Sequence, residues 1–145
     1  MKGFWTAVGV GMVTIGFLLA PVPAWARGCT AAQANAAAAA ADHLHSWPEV
    51  FALYKSYRDC DDGGVAEAQT EAVMRLFADQ WDDLAVLARI VREHADFRLY
   101  VLRHVDSTAD TKDLERARDQ SAKHCPPSLH SLCKDIASAA KEALR

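Results

Sequence analysis

Six histidines and four cysteines are the residues of this 145-residue chain best suited to chemistry, and their spacing decides what they can do. His43 and His45 stand two apart, as do His94 with Asp96 and His104 with Asp106. On a helix, positions two apart point in different directions, so such pairs share a ligand only where they sit in loops. His43-Leu44-His45 lies just before a helix start, and His124 and His130 flank a cysteine. These four histidines are the candidates for a metal or small-ligand site, and surface or capping roles explain them as well. No cofactor is expected.

Other constellations point nowhere specific. Asp59-Cys60-Asp61-Asp62-Gly63-Gly64 has the look of a calcium loop, but counted from Asp59 the twelfth position is Thr70, where an acidic ligand is needed. Capping and turn formation account for the same residues. There is no Gly-x-Ser-x-Gly elbow, Gly-rich phosphate loop or zinc-protease helix motif. Carboxylate pairs such as Asp82-Asp83, or Glu67 with Glu71, are ordinary on solvated helix faces. The expectation is a protein that does not catalyse.

The cysteines follow from the compartment. Lys2 precedes an uncharged run from Gly3 to Ala26, with an apolar stretch from Val8 to Ala20. Pro21 and Pro23 then break any helix, and Ala24-Trp25-Ala26 is the small-x-small pattern of signal peptidase. Residues 1–26 therefore read as a cleaved signal peptide and 27–145 as one exported domain, periplasmic or secreted. An uncleaved anchor is the alternative, since the run is long enough to span a bilayer. A lipoprotein start at Cys29 would place Arg27 where a small uncharged residue belongs. All of Cys29, Cys60, Cys125 and Cys133 follow the cut, and an even count in an exported chain favours two disulfides. Of three connectivities, Cys125 with Cys133 is favoured because Cys125-Pro126-Pro127-Ser128 makes a corner between helices; Cys29 then pairs with Cys60.

The chain's formal charge is −3, and losing Lys2 with the leader makes the domain one unit more negative. Nucleic-acid binding needs a basic face, so nucleic acid is excluded as a partner, and anionic lipid gains nothing. The membrane enters only through the leader.

The elements that must position these groups are helical. The alanine-rich segment Thr30–His43 is a helix by propensity. Ser46-Trp47-Pro48-Glu49 reads as a capping box, followed by a stripe of Trp47, Val50, Phe51, Tyr54 and Tyr57. After the Asp61–Gly64 turn come a helix from Val65 to Phe77 and a corner around Trp81. A fourth helix follows over Leu84–Val91, then a fifth capped by Asp96 with Phe97, Tyr100, Val101, His104 and Val105 on its face. Thr111–His124 is helical but nearly all polar, hence a surface helix. The last helix follows Ser128 as cap and buries Leu129, Leu132, Cys133, Ile136, Ala140 and Leu144. No stretch alternates with period two, so the fold class is all-α: a compact bundle of about six or seven short helices with two disulfides.

Two groups of side chains stand out as a partner surface. Tyr54, Tyr57 and Arg58 edge the aromatic stripe, and Tyr and Arg are common interface anchors. Arg89, Arg92, Arg98 and Arg103 cluster over two neighbouring helices, opposite in sign to the acidic corners. Solvated helix faces explain the same pattern.

Trp47-Pro48-Glu49-Val50-Phe51 with Tyr54, Cys60-Asp61-Asp62-Gly63, Phe97, Val101 to Asp106 and the Cys125–Cys133 ending together resemble a family of small secreted bacterial helical proteins. The resemblance covers most of the chain after the leader and brings no assigned activity. More loosely, the layout of leader, small helical domain and late cysteine pair is similar to type VI secretion periplasmic immunity proteins. That likeness implies an exported protein as partner. The expected function is a periplasmic module that binds another protein by contact, as an immunity factor or inhibitor. The alternatives are a small-ligand or metal-binding helical protein, and an envelope structural or stress factor.

Overall fold

A computed structural model describes residues 28–145; the leader read over residues 1–26 lies outside the described residues. Seven α-helices follow one another, with no strand among the described residues. They are α1 (Ala31–Ala41), α2 (Trp47–Tyr57), α3 (Gly63–Asp79), α4 (Leu84–Glu93), α5 (Ala95–Arg103), α6 (Thr111–Lys123) and α7 (His130–Ala143). Short 3-10 turns at Arg58–Cys60, Trp81–Asp83 and Pro127–Leu129 make the corners. No helix of the described residues is long and apolar enough to cross a membrane.

The 17-residue α3 is the spine, burying Ala72, Val73, Met74, Leu76, Phe77 and Ala78. It packs against α1 and α6, and α6 packs most extensively on α7 as a helical hairpin. Alanine lets α1 approach closely, with Ala37 and Ala41 wholly buried. Arg75 of α3 then donates to the carbonyls of Ala41 and Leu44 at 3.4 and 3.3 Å, tying α3 to the end of α1 and the turn after it. The stripe on α2 is core. Trp47 meets Phe77 at 4.8 Å between ring centroids, Phe51 meets Phe97 at 4.9 Å, and Tyr54 meets Tyr100 at 4.9 Å. Such pairs add about 0.5–1.5 kcal/mol each beyond the area they bury. The Trp81 indole donates to the carbonyl of His124 at 3.0 Å, fastening the α3–α4 corner to the end of α6.

Both bridges form as expected, Cys29 with Cys60 and Cys125 with Cys133. Bridges of this kind persist in oxidising compartments outside the cytoplasm.

Several local expectations need correction. Ser46 precedes α2 with extended backbone but makes no side-chain cap bond; Glu49 instead accepts from the backbone N–H of His45 at 2.7 Å. The capping box is at Thr30, whose hydroxyl accepts from the Gln33 N–H at 3.2 Å while the Gln33 side chain accepts from the Thr30 N–H at 3.0 Å. Asp62 caps α3, which starts at Gly63, two residues before Val65, with Gly63 at φ +52°, a conformation that favours glycine. Asp96 lies inside the first turn of α5, after a start at His94, and Ser128 lies inside a 3-10 turn before α7. The polar helix α6 does keep a wet face, yet its narrow stripe of Leu114, Ala117 and Ser121 is buried. Three small or medium side chains suffice there because the facing helices come close.

Candidate functional site

The corner between α4 and α5 gathers most of the arginines singled out from sequence. Arg92 of α4 and Arg98 of α5 line one open groove of about 400 Å³. Its floor is apolar, formed by Ala88, Val91, Leu129 and Leu132, and Ser128 and Ser131 stand along one wall. The recess lies between α4, which packs on α2 and α5, and the start of α7. Arg98 is held in place by Ser131 Oγ at 3.1 Å and by Asp135 at 2.5 Å. Arg92 is exposed and has no ion-pair partner among the described residues, and the same holds for Arg89 one turn earlier. Leu99, also on α5, is 68% exposed and is the one large apolar side chain so open among the described residues.

A second groove lies on the other side of the same corner. Tyr54, Lys55 and Arg58 from α2 and the following turn face Glu93, His94 and Asp96, over Phe51 and Phe97. The His94 ring packs on Phe51 at 4.5 Å, and the Lys55 ammonium lies 4.8 Å from the same ring. Charges here are mixed, so this groove has little sign preference.

The remaining candidates are elsewhere. Tyr57 lines a cleft beside the Cys29–Cys60 bridge. Arg103 ion-pairs with Asp61. The seven residues named as one partner surface thus fall into separate places: Arg92 and Arg98 share the first groove, with Arg89 nearby on α4, and Tyr54 and Arg58 share the second. His43 and His45 lie in the connection between α1 and α2, while His124 follows α6 just before Cys125 and His130 opens α7 within the loop that the late bridge closes. No group of three or more His, Cys, Asp or Glu gathers into a metal-holding arrangement among the described residues.

The residues that sequence reasoning passed over form a buried polar cluster between α3, α5 and the α2–α3 connection. His104, 2% exposed, stands at the end of α5 with Nδ1 3.0 Å from Thr70 Oγ1 of α3. Its Nε2 is 3.3 Å from Asp61 Oδ1, and the Asp61 side chain is only 3% exposed. Thr70 Oγ1 is also 3.5 Å from Asp106 Oδ2. The preceding residue of α3, Gln69, accepts from the Tyr100 hydroxyl. Burial, with the nearby Tyr54 phenol, pushes the Tyr100 hydroxyl far above the usual range and keeps it a donor.

The rule for residues two apart failed at His104 and Asp106 because α5 ends at Arg103. Past that end the chain turns, and both side chains reach Thr70. The usable signal was an apolar helical stripe with one histidine in it, immediately before an acidic turn.

The tautomer of His104 follows from its neighbours. A carboxylate only accepts, so Nε2 facing Asp61 carries the hydrogen and Nδ1 accepts from the Thr70 hydroxyl. The Nε2 contact is near enough for charge interaction but not aligned as a hydrogen bond. Burial pushes the His104 imidazole down to about 4, the Arg103 charge adds to this, and Asp106 opposes it. Asp, His and Thr in a row have the composition of a nucleophile with its base. Here Thr70 is wholly buried, and neither it nor His104 lines any groove described above. The cluster locks α3 to α5, as a core polar network does.

Comparison with family models, with curated proteins and with solved structures finds no match for this chain.

Proposed function

We propose that this is an exported, periplasmic protein that acts by holding an acidic segment of another exported protein, in the manner of an immunity factor or inhibitor. The observation that carries the reading is the groove between α4, α5 and α7, where Arg92 and Arg98 stand over an apolar floor in a domain of net negative charge. Unpaired or partly paired guanidiniums beside apolar surface suit a partner that offers carboxylates alternating with small apolar side chains. Arg98 is pre-set by Ser131 and Asp135, so little side-chain freedom is lost when a ligand meets it. The leader read over residues 1–26 and the two disulfides both support export. The same stapling keeps the groove in one shape.

The test is co-purification from periplasm of the wild-type domain and of a variant carrying Arg92→Glu with Arg98→Glu. A specific exported partner retained by the first and lost by the second supports the reading; equal retention, or a domain that captures nothing, counts against it. The immunity version demands more: deleting the gene must make the cell sensitive to a toxin encoded beside it.

A further inference from the structure

The buried cluster beside the first bridge does something a plain core does not. Asp61 is faced by two cationic or ionisable groups from α5 and its end, Arg103 on one carboxylate oxygen and His104 on the other. Arg103 reaches it from outside, with 64% of its side chain exposed, whereas His104 is enclosed. The groups around the imidazole are Asp61 from the α2–α3 connection, Thr70 from α3, the Tyr100 ring edge-on at 4.5 Å, Arg103 beside it and Asp106 just after it. Every acceptor that a charged imidazole needs is therefore in place. Yet the carboxylate opposite Nε2 is already engaged by Arg103.

We propose that Asp61 is a shared counter-ion, which makes the seam between α5 and the α2–α3 connection an acid-sensitive latch. Arg103 holds the carboxylate while His104 is neutral, and His104 takes it over on gaining a proton. The proton arrives from solvent at Nδ1. The Thr70 hydroxyl then stops donating to Nδ1, accepts from it, and turns its own hydrogen to Asp106 Oδ2, 3.5 Å away. Nε2–H closes on Asp61 Oδ1, and no covalent bond forms or breaks. Arg103, no longer needed to balance Asp61, becomes a free cation on the surface of α5. This device is independent of the groove, so its test requires no partner.

The experiment follows the His104 imidazole by NMR through a pH titration of the folded domain, with the signal assigned by comparison with His104→Gln. Arg103→Gln should raise the proton affinity of His104 at least tenfold, because the freed carboxylate turns to the imidazole. In an Asp61→Asn background, the same Arg103→Gln change should move the affinity less than threefold. An equal rise in both backgrounds would mean direct repulsion by Arg103 and no shared carboxylate; no rise in either would overturn the proposal as well. A measurement on the unaltered chain guards against a variant that fails to fold. The Arg103 Nε–H signal must titrate with the same midpoint as His104, and a signal that stays constant through that midpoint overturns the latch.

Discussion

The Cys29–Cys60 bridge spans 31 residues and stands beside a closed polar cluster, whereas Cys125–Cys133 spans 8 and brackets the residues that wall an open groove. The first joins the start of α1 to the connection before α3, two places that no local contact would hold together. Asp61, the neighbour of Cys60, is thereby delivered to α5. The second joins the approach to α7 with its first turn, in a hairpin already held by α6. Its effect is on surface shape, since Ser128, Leu129, Ser131 and Leu132 lie between its ends. One covalent device thus serves a buried lock in one region and an exposed recess in the other. Burial decides the difference: Asp61 and His104 are enclosed at one end, whereas Arg92 at the other stands open to water.

The two regions should differ most in what their bridges contribute to stability. By loop entropy the 31-residue closure is worth about 4 kcal/mol and the 8-residue closure about 2.5 kcal/mol. Urea unfolding of the Cys29→Ser/Cys60→Ser and Cys125→Ser/Cys133→Ser variants should show that order. Equal losses would mean that the second bridge is more than a local staple.

Acid should act on the first region through His104. The His104 imidazole titrates near 6.5 when unfolded and near 4 when folded, so the unfolded chain takes up the proton first. Its contribution is therefore fully present above pH 6.5 and is lost as pH falls from 6.5 toward 4. Between neutrality and pH 5 the loss is about 2 kcal/mol. His104→Gln should flatten that part of the pH–stability curve, measured by denaturant midpoints at each pH. An unchanged slope would place the acid sensitivity elsewhere.

In the second region, Arg92→Glu with Arg98→Glu should weaken partner binding at least tenfold, about 1.4 kcal/mol, by titration calorimetry. The same pair should move the unfolding midpoint little, since both guanidiniums are at least partly open to water. The smallest effect tests a cap. Thr30→Ala removes a real capping box and should cost about 1 kcal/mol, while Ser46→Ala, which removes no cap bond, should cost close to nothing.

Helix content, the two bridges and most of the core were legible in sequence. The stripes Trp47–Tyr57 and Phe97–Val105 carry their period openly, and turn residues mark the ends. Caps were harder, because Ser46-Trp47-Pro48-Glu49 satisfies the pattern while Glu49 bonds one residue too early. Thr30-Ala31-Ala32-Gln33 satisfies it in fact but hides in an alanine run. The surface was hardest. Arg89, Arg92, Arg98 and Arg103 look like one cluster on two helices, and only the packing of the end of α5 against the α2–α3 connection shows that Arg103 turns to Asp61 instead.

Residue order alone was enough for the fold class, because helical period and turn chemistry act over a few residues to a few turns; for the cysteines it favoured one of three pairings, and the fold brings Cys29 to Cys60 across 31 residues. The meeting of Asp61, Thr70 and His104, and the gap that becomes the groove, arise from how helices far apart in sequence pack. Whether an ionisable side chain is a lock or a handle depends on the water left around it. Only the assembled bundle sets that.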